Sequence, residues 1–129
     1  MHEQTVGSPR VVVGALLIAF ALLALPVSAH HGWGGYNGTQ FELSGTLETA
    51  VSLAGPHATM RVRANGQVWD VVLAPSARTE RAGLKEGIIP LGAEVKVSGH
   101  RHRDPNKFEV KTERVTWNGR TFNVYPDRS

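Results

Sequence analysis

The 129-residue chain contains no cysteine. That excludes a disulfide, a thiolate metal site, a cysteine nucleophile and an acylated cysteine anchor. Small exported domains often lean on disulfides, so here a continuous packed core has to suffice. Charge of one sign is also scarce. Fourteen Lys and Arg stand against eleven Asp and Glu, a net charge of +3. The basic residues alternate with acids along the chain, which is a solvated surface and not a nucleic-acid footprint. The longest apolar run, residues 11–25, falls short of the roughly 20 residues that span a bilayer.

Catalytic signatures are missing as well. No glycine-rich phosphate loop opens a helix, and no Ser or Thr sits in a nucleophile motif. Glu42 and Glu48 fall on the polar side of a strand and do not form a separate carboxylate pair. No enzyme is expected.

What is present begins with an export signal. Arg10 precedes the apolar run, Pro26 ends it, and Val27-Ser28-Ala29 places small residues where a signal peptidase reads. Residues 1–29 are therefore expected to be a cleaved signal peptide. The mature chain then starts at His30, in the periplasm or outside the cell, with no membrane insertion after cleavage. The remaining 100 residues allow one domain.

Residues 30–40 hold four glycines in the first nine positions, which no helix tolerates, and read as a flexible arm carrying Trp33 and Tyr36. From Phe41 the pattern changes. Leu43, Leu47, Val51 and Leu53 alternate with polar residues, the period of a half-buried strand. Gly45 in its middle suggests a bend, as a strand needs when it serves two sides of a barrel. Asn65-Gly66 predicts a type I′ hairpin pairing Val62 with Trp69, Met60 with Val71 and Arg61 with Asp70. A short helix follows, capped by Ser76 and ended at Gly83. Leu91-Gly92 turns into a fourth strand with Val95, Val97 and Gly99 inward and Lys96, Ser98, His100 and His102 on the other side. The fifth strand carries Phe108, Val110, Val115 and Trp117. Its apolar phase flips, which predicts a bulge near residues 112–114. Asn118-Gly119 predicts a last hairpin pairing Val115 with Phe122. Trp69 and Trp117 lie in phase with core positions.

The expected fold is mainly β: residues 41–129 form an OB-fold-like, partly open barrel of five to six strands, with one short helix between strands three and four.

The chain also resembles a family of small exported bacterial proteins of unknown function. The matching residues are His30-His31, Gly55-Pro56-His57-Ala58, Pro75-Ser76, Gly83-Leu84, the stretch 92–99, and residues 115–121 with Asn118-Gly119-Arg120. Gly32, Gly55 and Thr59 depart from the pattern. The resemblance implies an export signal and a barrel-like fold, and implies no activity.

Histidines supply the candidate chemistry. Cleavage after Ala29 would give His30 both an α-amine and an imidazole to offer one metal ion. This resembles a histidine brace, in which a further nitrogen from His31, His57, His100 or His102 completes an imidazole-rich site suited to copper. The bland alternative is a solvated His-His pair. His100 and His102 share one side of a strand and are spaced to chelate together, but flanking Arg101 and Arg103 oppose a cation, which favours two exposed histidines. His57 sits at the loop between strands one and two, which borders the ligand face of OB barrels. Trp33 and Tyr36 either stack on a ligand or pin the arm. Two functions follow: an exported copper-binding protein using His30, His31, His57 and His102, or an envelope module using Trp33, Tyr36 and His57 for a small ligand or protein. No nucleic-acid partner is expected.

Overall fold

The computed structural model describes residues 32–128. The chain divides into two compact units, Met1–Gly34 and Gly35–Ser129. Of the first, the described part is a turn at residues 32–34, with Gly32 at φ +91° and Trp33 half-buried. The expected signal peptide, His30 and His31 lie outside the described residues.

The second unit is built from β1 (Phe41–Ser52), β2 (His57–Ala64), β3 (Gln67–Pro75), α1 (Ser76–Arg81), β4 (Glu94–Arg101), β5 (Glu109–Trp117) and β6 (Arg120–Asn123). The sheet order is β3-β2-β1-β4-β5-β6. Parallel pairing of β3 with β5, through Asp70↔Glu109, Val71↔Val110 and Val72↔Lys111, joins the ends. The five strands β1–β5 therefore close into the expected barrel, tighter than the partly open form anticipated, and β6 is added outside the closure.

β1 makes the closure possible. Its first half pairs with β4 and its second half with β2, and the change of partner falls at Thr46. Gly45 stands at that bend. A Cβ there would lie 2.2 Å from the carbonyl oxygen of Arg63, so only glycine lets the two strands approach. Leu43, Leu47 and Val51 point inward and are buried; Leu43 and Leu47 keep the two-residue period, and two register shifts between Leu47 and Ser52 turn Thr49 outward before Val51 returns to the core.

Both Asn-Gly turns form. Asn65 and Gly66 take φ of 52° and 76°, and Asn118 and Gly119 take 50° and 76°, the sign a type I′ hairpin requires at both positions. The expected registers hold: Val62↔Trp69, Met60↔Val71 and Arg61↔Asp70 in one hairpin, Val115↔Phe122 in the other. The expected bulge is present too. Ser98 faces Arg114 and Gly99 faces Thr112, so Glu113 is the extra residue of β5.

α1 ends as its glycine predicts. Gly83, at φ +95°, donates to Glu80 O at 2.9 Å, and Leu84 N–H donates to Thr79 O at 3.2 Å, a Schellman closure. Its start differs from expectation. Pro75 is the N-cap, with no side-chain capping bond. Ser76, expected to cap, lies one residue inside the helix and donates its hydroxyl to Gly55 O at 2.8 Å. Pro75 still pairs with His57, so the strand carries on to the helix with no residue free to serve as a polar cap.

The core gathers valines of β2–β5 with Leu47, Met60, Leu73, Leu84, Phe122 and Val124. Trp69 is buried, with its ring 5.4 Å from that of Phe41 and 5.2 Å from that of Phe108, and Arg101 stacks on it at 4.8 Å. Trp117 is half-buried against the core. Among the described residues, no helix is long and apolar enough to cross a membrane.

Candidate functional site: the outer face of the barrel

Strand pairing lays polar side chains in rungs across the outside of β1, β2, β3 and β5. One rung runs Thr49↔Arg61↔Asp70↔Glu109, and the next runs Ser52↔Thr59↔Val72. Cα partners share a face of the sheet, so these side chains line one open groove of about 380 Å³. Within it, Arg61 Nε donates to Asp70 Oδ1 at 2.9 Å, an exposed ion pair of small energetic value. The hydroxyls of Thr49 and Thr59 hold no side-chain hydrogen bond among the described residues and remain available to a ligand.

Glu109, at the seam, accepts a hydrogen bond from the Tyr36 hydroxyl. Burial, reinforced by that bond and by the Glu109 charge, pushes the Tyr36 phenol well above its ordinary range, so it is a neutral donor. Tyr36 also bridges to His102, Asn37 N–H donates to Arg101 O at 2.9 Å, and Arg103 N–H donates to Gly35 O at 2.9 Å. Within the segment read as an arm, residues 35–37 therefore extend the β4 edge. Tyr36 is thereby tied to Glu109 and His102.

A second polar layer covers β4 and β5. Lys111 and Glu113 are 4% and 1% exposed. Lys111 Nζ lies 3.3 Å from His57 Nε2. For Lys111 to donate there, the ring nitrogen must be unprotonated. Burial lowers the His57 pKa, and the Lys111 charge lowers it further. Burial also lowers the Lys111 pKa, against the opposing pull of Glu109. The Lys111 ammonium stands 5.8 Å from the Tyr125 ring centre, and burial raises that phenol's pKa. Glu113 Oε2 meets His100 Nε2 at 3.2 Å and Arg128 Nε at 3.4 Å, while Oε1 accepts from Gln40 Nε2 at 3.1 Å.

The expected exposed His-x-His pair is corrected here. His100 is 8% exposed. Its Nδ1 bonds the Asn37 carbonyl at 2.8 Å and its Nε2 faces Glu113, because residues 37–40 and the C-terminal turn lie over this side of the sheet. His102 stays half-buried and engages elsewhere: its Nδ1 accepts from Asp104 N–H at 3.0 Å, and its ring meets Tyr36 edge-on at 5.3 Å. The two rings thus take separate partners. Among the described residues, no three of His, Asp and Glu come together as a metal cluster. Of the candidate ligands, His57 faces Lys111 and His102 faces Tyr36, while His30 and His31 lie outside the described residues.

Sequence reasoning missed Lys111, Glu113 and Tyr125. The one available signal was the phase flip that marks the bulge. It locates Glu113, but it does not reveal that the C-terminal turn, Pro126–Arg128, and the chain before β1 would cover it.

A comparison with curated proteins finds no match. A family model does match residues 18–111, reaching from within the apolar N-terminal run through the closed barrel to Lys111. The chain belongs to a family of unknown function, DUF6152.

Proposed function

We propose that this protein is a small exported binding module that holds a polar ligand on the outer face of β1–β3. The observation that carries the reading is the open groove at the β3–β5 seam, where Thr49, Ser52 and Thr59 hydroxyls stand beside the Arg61–Asp70 pair and Glu109. Donors and acceptors of both charges suit a ligand with hydroxyl or amide groups and little net charge. The same face of other OB barrels serves ligand binding, which is an argument from fold alone. Export rests on the signal-like residues 1–29.

The test is amide NMR of the exported protein with a panel of short peptides and hydroxylated small molecules. Saturable shifts at Thr49, Thr59 and Arg61, weakened by Thr59→Ala and Arg61→Ala, support the reading. Shifts confined to other faces, or none, overturn it.

A second reading rests on the amino terminus that cleavage after Ala29 would create. His30 would then present an α-amine and an imidazole, a chelate suited to copper. It predicts a mature mass starting at His30 and a one-to-one Cu(II) site tighter than ~1 μM, lost when one residue is added ahead of His30. A different mature start, or affinity indifferent to that extension, removes it.

A further inference from the structure

We infer that a pocket between α1, β6 and the C-terminal turn binds a phosphate group, with Arg78 and Arg81 as its anchors. The pocket has a volume of about 300 Å³ and is lined by Arg78, Arg81, Ala82, Asn123 and Pro126. That is the low end of the range for small-molecule sites, which suits a compact anion more than a large ring. It shares no residue with the groove at the β3–β5 seam and does not depend on the function proposed for that groove. Two of its five lining residues are arginines and none is acidic, so the charge inside it has one sign.

Helix geometry brings the two arginines together. Three positions apart in the last turn of α1, they are neighbours on one side of the helix. A helix C-terminus favours cations, which explains why the chain tolerates the pair, but it does not occupy their donors. Among the described residues, neither guanidinium makes an ion pair or a hydrogen bond. Arg78 is half-buried and lies over the Tyr125 ring, 5.3 Å from its centre. That contact holds the guanidinium by its face and leaves the N–H donors of its rim unused. Burial raises the Tyr125 pKa, and the charges of Arg78 and Arg128 oppose that rise, so both cations lie near one phenol. The surroundings carry the same sign. Arg114, Cα partner of Asn123, has a buried Nη1 with no hydrogen bond. Arg114 and Arg128 share a single carboxylate, Glu113, at 4.0 and 3.4 Å. Glu80 and Asp127 adjoin lining residues in sequence but do not line the pocket. Each arginine offers a planar fork that matches two phosphate oxygens at once. A carboxylate fills one fork, whereas a phosphate group, with three strong acceptor oxygens, fills both.

The experiment uses protein expressed from the full chain. One arm titrates glycerol 3-phosphate and follows the Nε–H signals of Arg78 and Arg81 and the amides of Ala82 and Asn123. The other measures sedimentation with vesicles of phosphatidylglycerol against phosphatidylcholine. Saturable shifts in the first arm identify a free phosphate ester as the source of the group. Selective binding to phosphatidylglycerol identifies a lipid headgroup. In either arm Arg81→Gln should weaken binding about tenfold. Arg78→Lys keeps the charge and loses the fork, so it should weaken binding several-fold. Arg81 is exposed, so its replacement leaves the fold intact. Lys96→Gln, which removes one positive charge outside the pocket, should leave the affinity unchanged. Acetate at matched ionic strength should bind several-fold more weakly than glycerol 3-phosphate, and equal affinity overturns the phosphate assignment. No response to about 10 mM ester and none to vesicles, or binding undiminished by Arg81→Gln and Arg78→Lys, overturns the site itself.

Discussion

Lys111 Nζ stands 3.3 Å from Nε2 of His57, two basic groups in direct contact, with the ammonium 5.8 Å from the Tyr125 ring centre. Only a neutral imidazole can accept that hydrogen bond. Protonating His57 would set two positive charges against each other in a partly buried place.

This contact gives a pH dependence of known sign. Burial, then Lys111, lowers the His57 pKa in the folded state. In the unfolded chain the imidazole takes up its proton near pH ~6.5. Between those two values the unfolded state binds more protons, so stability falls as pH drops. The His57 contribution is complete above the unfolded pKa and is lost as pH falls through the folded one. Urea unfolding at pH 7.5 and pH 5 should show a smaller acid loss for His57→Gln than for the parent. Equal losses in both would show that the contact is not a source of the pH response.

Glu113 is 1% exposed and joins His100, Gln40 and Arg128. Truncating it to alanine leaves three polar partners facing an empty, buried position. Arg114 Nη1, itself buried without a hydrogen bond and 4.0 Å from Glu113 Oε1, loses its nearest counter-charge. The expected cost of Glu113→Ala is about 3–5 kcal/mol, measured by denaturant unfolding. Glu113→Gln keeps the shape and some hydrogen bonds and should cost clearly less.

Gly99 marks the bulge as Gly45 marks the bend. A Cβ on Gly99 would sit 2.1 Å from the Lys111 carbonyl oxygen, and backbone cannot move aside as a flexible side chain can. Gly45→Ala and Gly99→Ala should each destabilise the barrel by about 3 kcal/mol or more. Gly38, with nothing within 4 Å of its added Cβ, is the control. There alanine should change stability by no more than about 0.5 kcal/mol.

Tyr36 holds residues 35–37 against β4 through its hydroxyl on Glu109. Tyr36→Phe removes one hydrogen bond to a charged acceptor, worth about 1.5–3 kcal/mol. The expected outcome is local: faster amide exchange at Asn37 and Arg103, whose N–H groups bond across this junction, with the Val62 and Val115 amides unaffected. Uniform acceleration would mean that the pairing is integral to the barrel.

By itself, the sequence determined the strands, the hairpins and their barrel-like order, while the β3–β5 pairing decided that the barrel closes. Alternation of Leu43, Leu47 and Val51, the two Asn-Gly turns and Gly83 are local signals, set by backbone sterics and by the two-residue period of a strand, and each was realised where expected. The bulge at Glu113 was legible for the same reason, as a shift in apolar phase. Tertiary structure alone decided what lies outside the barrel. Period two marks Lys111, Glu113 and His100 as outward, and a sequence reads outward as exposed. Residues 37–40 and the C-terminal turn fold back over His100 and Glu113, through contacts some 15 to 73 positions apart in the chain, and Tyr125 lies against Lys111. The groove at the β3–β5 seam is likewise built from rungs whose members come from three or more strands. Such neighbours are set by how the sheet closes on itself, and no local pattern encodes that closure.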